Sequence, residues 1–242
     1  MGTVIVTLIP IFLILLYEQV ELKKVTNKNK VRIKSKLAFF TWSLITIFCI
    51  FLVLVSQSRT SFAAMLVLLL FFLTVVLIKL GFIKSLKATV PLATVFALIT
   101  FMTPAISEAF EDLLNKHTRR SAGATGITAN RADYWIETLN NSSLFGGGSI
   151  FFRDVVERSA HNTFFSILGI FGWIPLLIFL TWLFHLTLKS FKLVIRHKSA
   201  YDLFPFFMIM SFITLSMGEG MLMKLSMIAM FASIGVFTNK RK

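Results

Sequence analysis

The 242-residue chain is 56% hydrophobic, with a mean hydropathy of +0.81 and a formal net charge of +14. Its apolar residues come in long uninterrupted runs, which excludes a soluble globular domain and points to an integral membrane protein. The single cysteine, Cys49, sits inside one of those runs, so an intrachain disulfide and a cysteine-based metal or redox centre are excluded.

A helix needs about 20 apolar residues to cross the hydrocarbon core of a bilayer. By that criterion spans are predicted near 3–17, 37–55, 62–78, 88–106, 163–188, 203–217 and 225–238. The expected fold is all-α: a polytopic bundle of about seven transmembrane helices in one membrane domain over 1–242, with one large loop, 107–162, that contains short helices. Met1 is followed directly by apolar sequence without a basic leader, which argues against a cleaved signal peptide. We expect a shortened protein that lacks earlier spans.

The segments between spans must alternate between the two sides of the membrane. Segments 18–36, 79–87, 189–202 and 239–242 hold 17 of the 25 Lys and Arg against Glu18, Glu21 and Asp202, a net of +14. Segments 56–61, 107–162 and 218–224 balance to zero. All the excess positive charge thus falls on one side. By the positive-inside rule that side is cytoplasmic and the neutral side faces outward. The basic charge orients the protein, and the Lys-rich run 23–36 has no interleaved aromatics, so nucleic acid is not a predicted partner.

In a membrane protein the informative residues are polar ones at the outer ends of spans. Ser58-Arg59-Thr60-Ser61 fills a tight outer turn. Arg59 either snorkels at a helix end or presents its planar fork to a phosphate. Asn130-Arg131 opens a predicted short helix through Leu139, with Asn130 as N-cap and with Trp135 and Leu139 on one face, as in a helix lying on the interface. Arg131 would be at the positive end of that helix, either solvated or holding an anion.

Gly146-Gly147-Gly148 reads as a turn, a hinge or an anion-cradling nest. His161-Asn162-Thr163 stands at the mouth of the predicted span 163–188. A histidine there can take a proton from an approaching hydroxyl, with Asn162 holding the ring or the substrate, or it can be a chemically idle interfacial residue. Glu219, in Met217-Gly218-Glu219-Gly220, is the one acid of the neutral side outside the large loop, and is either a solvated turn carboxylate or a partner for His161. No zinc-protease, phosphate-loop or hydrolase-elbow motif is present, and His117 and His161 are too isolated for a metal site.

The ordered series Ser58-Arg59, Asn130-Arg131, Trp135, Gly146-Gly147-Gly148, His161-Asn162 and then Gly169, Gly172 and Pro175 resembles the O-antigen ligase and polymerase family of bacterial membrane glycosyltransferases, in its C-terminal part. The resemblance implies transfer of a glycan from undecaprenyl diphosphate to an acceptor hydroxyl, the lipid A core for a ligase. Such transfer takes place on the periplasmic face of the cytoplasmic (inner) membrane without metal, nucleotide sugar or other cofactor. Arg59 and Arg131 would then hold the diphosphate and His161 would act as base. We expect Asn130, Trp135, Gly146, Gly148, Asn162 and Glu219 to line the substrate site around them. The implied partners are the carrier-linked glycan, a lipid-anchored or glycan acceptor, and membrane lipids. Three other readings stay open: repeat-unit polymerisation, a non-catalytic fragment, and a transporter of lipid-linked saccharides. A transporter should carry charges deep within its spans, and here they are almost absent.

Overall fold

The computed structural model describes residues 2–25, 29–56, 58–80, 131–196 and 199–220, with the backbone alone described at 20–25, 29–36, 59, 79–80 and 132. Among the described residues the chain is helical and has no strand. Three long helices come first: α1 (Gly2–Val25), α2 (Asn29–Val55) and α3 (Arg59–Leu80). The short α4 (Arg131–Asn141) and α5 (Phe151–Asp154) follow, then α6 (Thr163–Phe171), α7 (Trp173–Arg196) and α8 (Phe204–Ser216). Single 3-10 turns at Gly148–Ile150 and Ala200–Leu203 lead into α5 and α8.

Four stretches, Gly2–Gln19, Leu37–Val55, Thr60–Ile78 and Trp173–Arg196, are long and apolar enough to cross a membrane, and Ala200–Ser216 forms a shorter apolar helix. The predicted spans 88–106 and 225–238 lie outside the described residues, so the expected count of seven is not reached from this set.

α8 is apolar on every side, and residues 204–209, 211–212 and 215–216 are all buried, as expected of a helix surrounded by others. Phe207 and Phe212 are fully covered, beside Ile9 and Leu13 of α1, Val53 and Leu54 of α2 and Leu68 of α3. Against α3 the packing is antiparallel: Gly218, just past the end of α8, abuts Thr60 at the start of α3, while near the start of α8 Phe206 meets Phe71 and Phe207 meets Phe72 edge to face, with centroids 5.9 and 6.3 Å apart.

The two ends of the bundle differ. At one end Gly2 abuts Ser56 and Ser61, and Gly218 abuts Thr60. At the other the Tyr201 hydroxyl donates to Glu18 Oε2 at 2.9 Å. Ser56, Thr60, Ser61 and Gly218, from segments of the set that sums to zero charge, therefore share one end, while Glu18 and Tyr201, from the basic segments, meet at the other. We call these the neutral end and the basic end.

The segment read as one span over 163–188 is two helices. Gly172, at φ +92 and ψ −175, turns the chain back on itself between α6 and α7. Residues at about equal distances on either side of it then meet: Leu168 and Leu176 share a buried cluster, and the Phe164 and Phe179 rings are 6.4 Å apart. α6 and α7 form an antiparallel hairpin, and α7 alone is long enough to span. Hydropathy could not foresee the reversal, because the apolar run continues through Gly172 without a charge from α6 into α7.

Candidate functional site

The site is built around three consecutive residues, Met217, Gly218 and Glu219, that follow α8. Here the helix closes with Gly218 N–H on Leu215 O at 3.2 Å and Glu219 N–H on the same oxygen at 2.9 Å. The carbonyls of residues 217–219 are left without helical partners, and helix ends must find such partners elsewhere. Side chains from three other elements supply them. Asn162 Nδ2 donates to Met217 O at 3.1 Å, Arg131 Nη1 to Gly218 O at 3.1 Å, and Thr163 Oγ1 to Glu219 O at 3.0 Å. Thr60 Oγ1 reaches Gly218 O at 3.5 Å, the limit of a hydrogen bond. Gly218 has no room for a side chain, since a Cβ would come within 2.5 Å of Thr60 Cγ2.

Asn162 is the N-cap of α6. Its backbone is extended, and its Oδ1 accepts from Phe164 N–H at 2.9 Å and Phe165 N–H at 3.3 Å. With Nδ2 on Met217 and the residue 1% exposed, its amide serves architecture: it joins the start of α6 to the end of α8. The side chain expected at the substrate site thus caps α6 directly beside His161. His161 is exposed and sits at φ +46, a left-handed conformation that a histidine adopts only under constraint from its surroundings.

Trp135 supplies part of the constraint. Its Nε1 donates to Ala160 O at 2.9 Å, and its ring stacks on Phe165 at 5.2 Å and 3°. α4 is thereby fastened to the segment carrying His161, and Arg131, one helical turn before Trp135, is carried to the α8 turn. Beyond the Nη1 bond to Gly218, the Arg131 guanidinium makes no hydrogen bond among the described residues. Arg59 opens α3 next to Thr60, with its side chain outside the described residues, and Asn130 lies outside them altogether. Glu219 contributes its backbone, and its carboxylate makes no hydrogen bond among the described residues.

The glycine run serves the hairpin. Gly147 N–H donates to Gly169 O at 2.9 Å, while Trp173 N–H and Ile174 N–H, the orphan donors that open α7, bond Ser143 O and Leu144 O at 3.2 Å each. Gly146, at φ +75, lies backbone to backbone with Gly172: a Cβ on Gly172 would be 2.3 Å from Gly146 N, and one on Gly146 would be 2.4 Å from Ile170 O. Gly146 is thus part of a clamp on the break between α6 and α7, whereas Gly148, at φ +73, has open space about it.

The described structure thus brings Arg131, Trp135, His161, Asn162 and the backbone of Glu219 together at the neutral end. It also adds Thr60, Thr163 and the Met217 and Gly218 carbonyls, which lie in segments the sequence singled out but to which it gave no role of their own. The Gly-Glu-Gly sequence after α8 was the available signal for a tight turn, although nothing in it marks the carbonyls as acceptors.

Several long apolar helices, with a polar network at one end of the bundle, define a multi-pass membrane protein with a candidate site at that end. The chain belongs to the O-antigen ligase family, whose model matches residues 44–180, from α2 through the first part of α7. The match encloses Arg59, Arg131, Trp135, the glycine run, His161 and Asn162, and stops before the α8 turn. The family is one of membrane enzymes of the ligase and polymerase type, acting on lipid-linked glycans and their acceptors. Neither the curated proteins nor the solved structures yield a match to this chain.

Proposed function

We propose that this chain transfers a glycan from an undecaprenyl-diphosphate carrier to an acceptor hydroxyl, the lipid A core sugar, on the periplasmic face of a bacterial cytoplasmic membrane. The observation that carries this reading is the convergence of Arg131 and the His161-Asn162-Thr163 segment on the turn 217–219, in a chain of this family.

A guanidinium has five N–H donors in a planar fork. Anchoring Nη1 on Gly218 O holds the fork in place and leaves its other donors for a phosphate. As the bond between the anomeric carbon and the diphosphate oxygen breaks, its electron pair leaves with the carrier. Arg131, joined by Arg59 from the start of α3, neutralises the charge that grows there. The acceptor oxygen attacks the anomeric carbon and gives its proton to the His161 imidazole, which is exposed and held by the α6 cap next to it. Attack from the face opposite the leaving group inverts the anomeric centre. The activated diphosphate bond drives the transfer, so the proposal needs no nucleotide sugar or metal.

The test is complementation of a strain that accumulates undecaprenyl-linked glycan, with wild type, His161→Ala and Arg131→Ala at matched membrane levels. Restored surface glycan with wild type and none with either variant is expected. Full activity of both variants overturns the site, and a product with retained anomeric configuration by NMR overturns single displacement. Ladders of growing length made without any lipid A core would assign the chain to repeat-unit polymerisation instead.

A further inference from the structure

The clamp at Gly172 gathers apolar side chains on the outside of the protein. Leu144 and Phe145 are 60% and 77% exposed, and their loop is bonded to the hairpin tip, where Phe171 and Ile174 are also exposed. Ile174 begins a ridge along α7 that continues through Leu177 and Ile178 at helical spacing. Only 17% of the spanning window of α7 is buried within the protein, so that ridge faces outward along the length of a helix apolar enough to cross a membrane. Leu144, Phe145 and Phe171 extend it beyond the helix end.

Charge and length agree. No Asp, Glu, Lys or Arg falls between Glu137 and Arg153, or between Arg158 and Lys189. With its 24 residues α7 is about 36 Å long, against about 30 Å of hydrocarbon and about 40–45 Å with the headgroups. If Lys192, midway among Lys189, Lys192 and Arg196, marks one hydrocarbon boundary, the other falls about 20 residues away, at Gly172. That is the depth of the interface between headgroups and acyl chains.

We infer that the α6–α7 hairpin tip, with Leu144 and Phe145 clamped to it, is seated in the lipid interface at the neutral end, and that its partner is the bilayer surface itself. The large loop is then not a wholly aqueous cap: its glycine run holds an apolar finger against the lipid, continuous with the lipid-facing ridge of α7. The finger leaves the same backbone segment as α6, whose other end carries His161. The inference rests on continuity and charge and is independent of the proposed transferase activity.

The experiment uses full-length protein with Cys49→Ala, reconstituted in phosphatidylethanolamine and phosphatidylglycerol vesicles. A fluorophore is placed on Phe145→Cys, on Leu144→Cys, on Ile178→Cys as the lipid reference, or on Arg153→Cys as the aqueous reference, whose native side chain is 75% exposed and, among the described residues, paired with Asp154. Doxyl-labelled lipid should quench the labels at 144 and 145 at least about threefold more than the label at 153, approaching that at 178, with iodide giving the reverse order. Iodide reaching 145 as readily as 153 would overturn the inference. So would the failure of both quenchers at 144 and 145, which would place another part of the chain over the finger. Folding is not at risk at 145, which is already 77% exposed.

Discussion

The bundle and the neutral end are held together by different physics. Around α8 cohesion comes from apolar side chains such as Phe207, Phe212, Leu13 and Leu68, whose contacts are numerous, individually weak and without fixed direction. At the neutral end it comes from backbone groups: three carbonyls of one turn receive side-chain donors, and two glycines meet with no side chain between them. The first kind of region tolerates a volume-conserving exchange. The second fails on the addition of one methyl group or the loss of one hydrogen.

The contrast is sharpest at Gly172, where we expect the largest effect. A Cβ there would stand 2.3 Å from Gly146 N and 2.4 Å from Leu144 O, in a backbone conformation that is essentially reserved for glycine. Gly172→Ala should cost at least about 3 kcal/mol, whereas Phe207→Leu, in the centre of the bundle, should cost about 1 kcal/mol. Thermal unfolding in detergent, followed by gel filtration, compares the two. Equal losses would mean that the clamp is no more demanding than the core.

Next comes Asn162. Asn162→Ala removes the α6 cap and leaves the Met217 carbonyl without its donor, an expected loss of about 2–3 kcal/mol. Asn162→Asp keeps the capping oxygen and loses only the Nδ2 bond, so it should fall between alanine and wild type. An aspartate variant as stable as wild type would show that the link to α8 contributes nothing.

At Arg131 the readout is activity. Arg131→Lys keeps the charge but loses the planar fork that, on the proposed function, would hold Gly218 O and a phosphate together; turnover should drop about tenfold, while an ammonium still within reach of Gly218 O should keep the loss of stability under about 1 kcal/mol. Unchanged turnover would reduce Arg131 to a simple point charge. Trp135→Phe is a gentler change: the stack on Phe165 survives and the bond to Ala160 is lost, for about 1 kcal/mol in the same unfolding assay.

The two regions were also unequally legible in the sequence. α2 and α3 follow from apolar runs because spanning imposes a length and a composition, and both are local properties. The start of α4 near Arg131 and the polar opening of α6 at Asn162 were visible for the same reason, since caps have local signatures. The role of Gly146 was not, because its partner Gly172 lies 26 positions along the chain and the pairing exists only after the loop folds back. The bonds of Asn162 to backbone groups of α6 and α8 were not legible either, because its partner on α8 lies 55 positions along the chain. A carbonyl has no residue type, so the acceptors of residues 217–219 leave no mark in the sequence.

The smallest expected effect is at the basic end, where the Tyr201 hydroxyl meets Glu18. This bond resembles those at the neutral end in being polar and joining distant segments, but it lies at an exposed surface where water competes for both groups. The hydrogen bond to Glu18, then burial, then the negative charge of Glu18 raise the Tyr201 phenol above its ordinary range. A raised pKa means that the folded state favours the protonated phenol. The associated stability is therefore fully present below the ordinary phenol pKa and is lost as pH rises through the raised value. Discounted for solvent screening, the contribution should be about 0.5 kcal/mol or less. Tyr201→Phe should then unfold almost as wild type at neutral pH, and the small gap between them should close at strongly alkaline pH. A gap that persists there would mean that the Tyr201 ring, and not its proton, ties α1 to the start of α8.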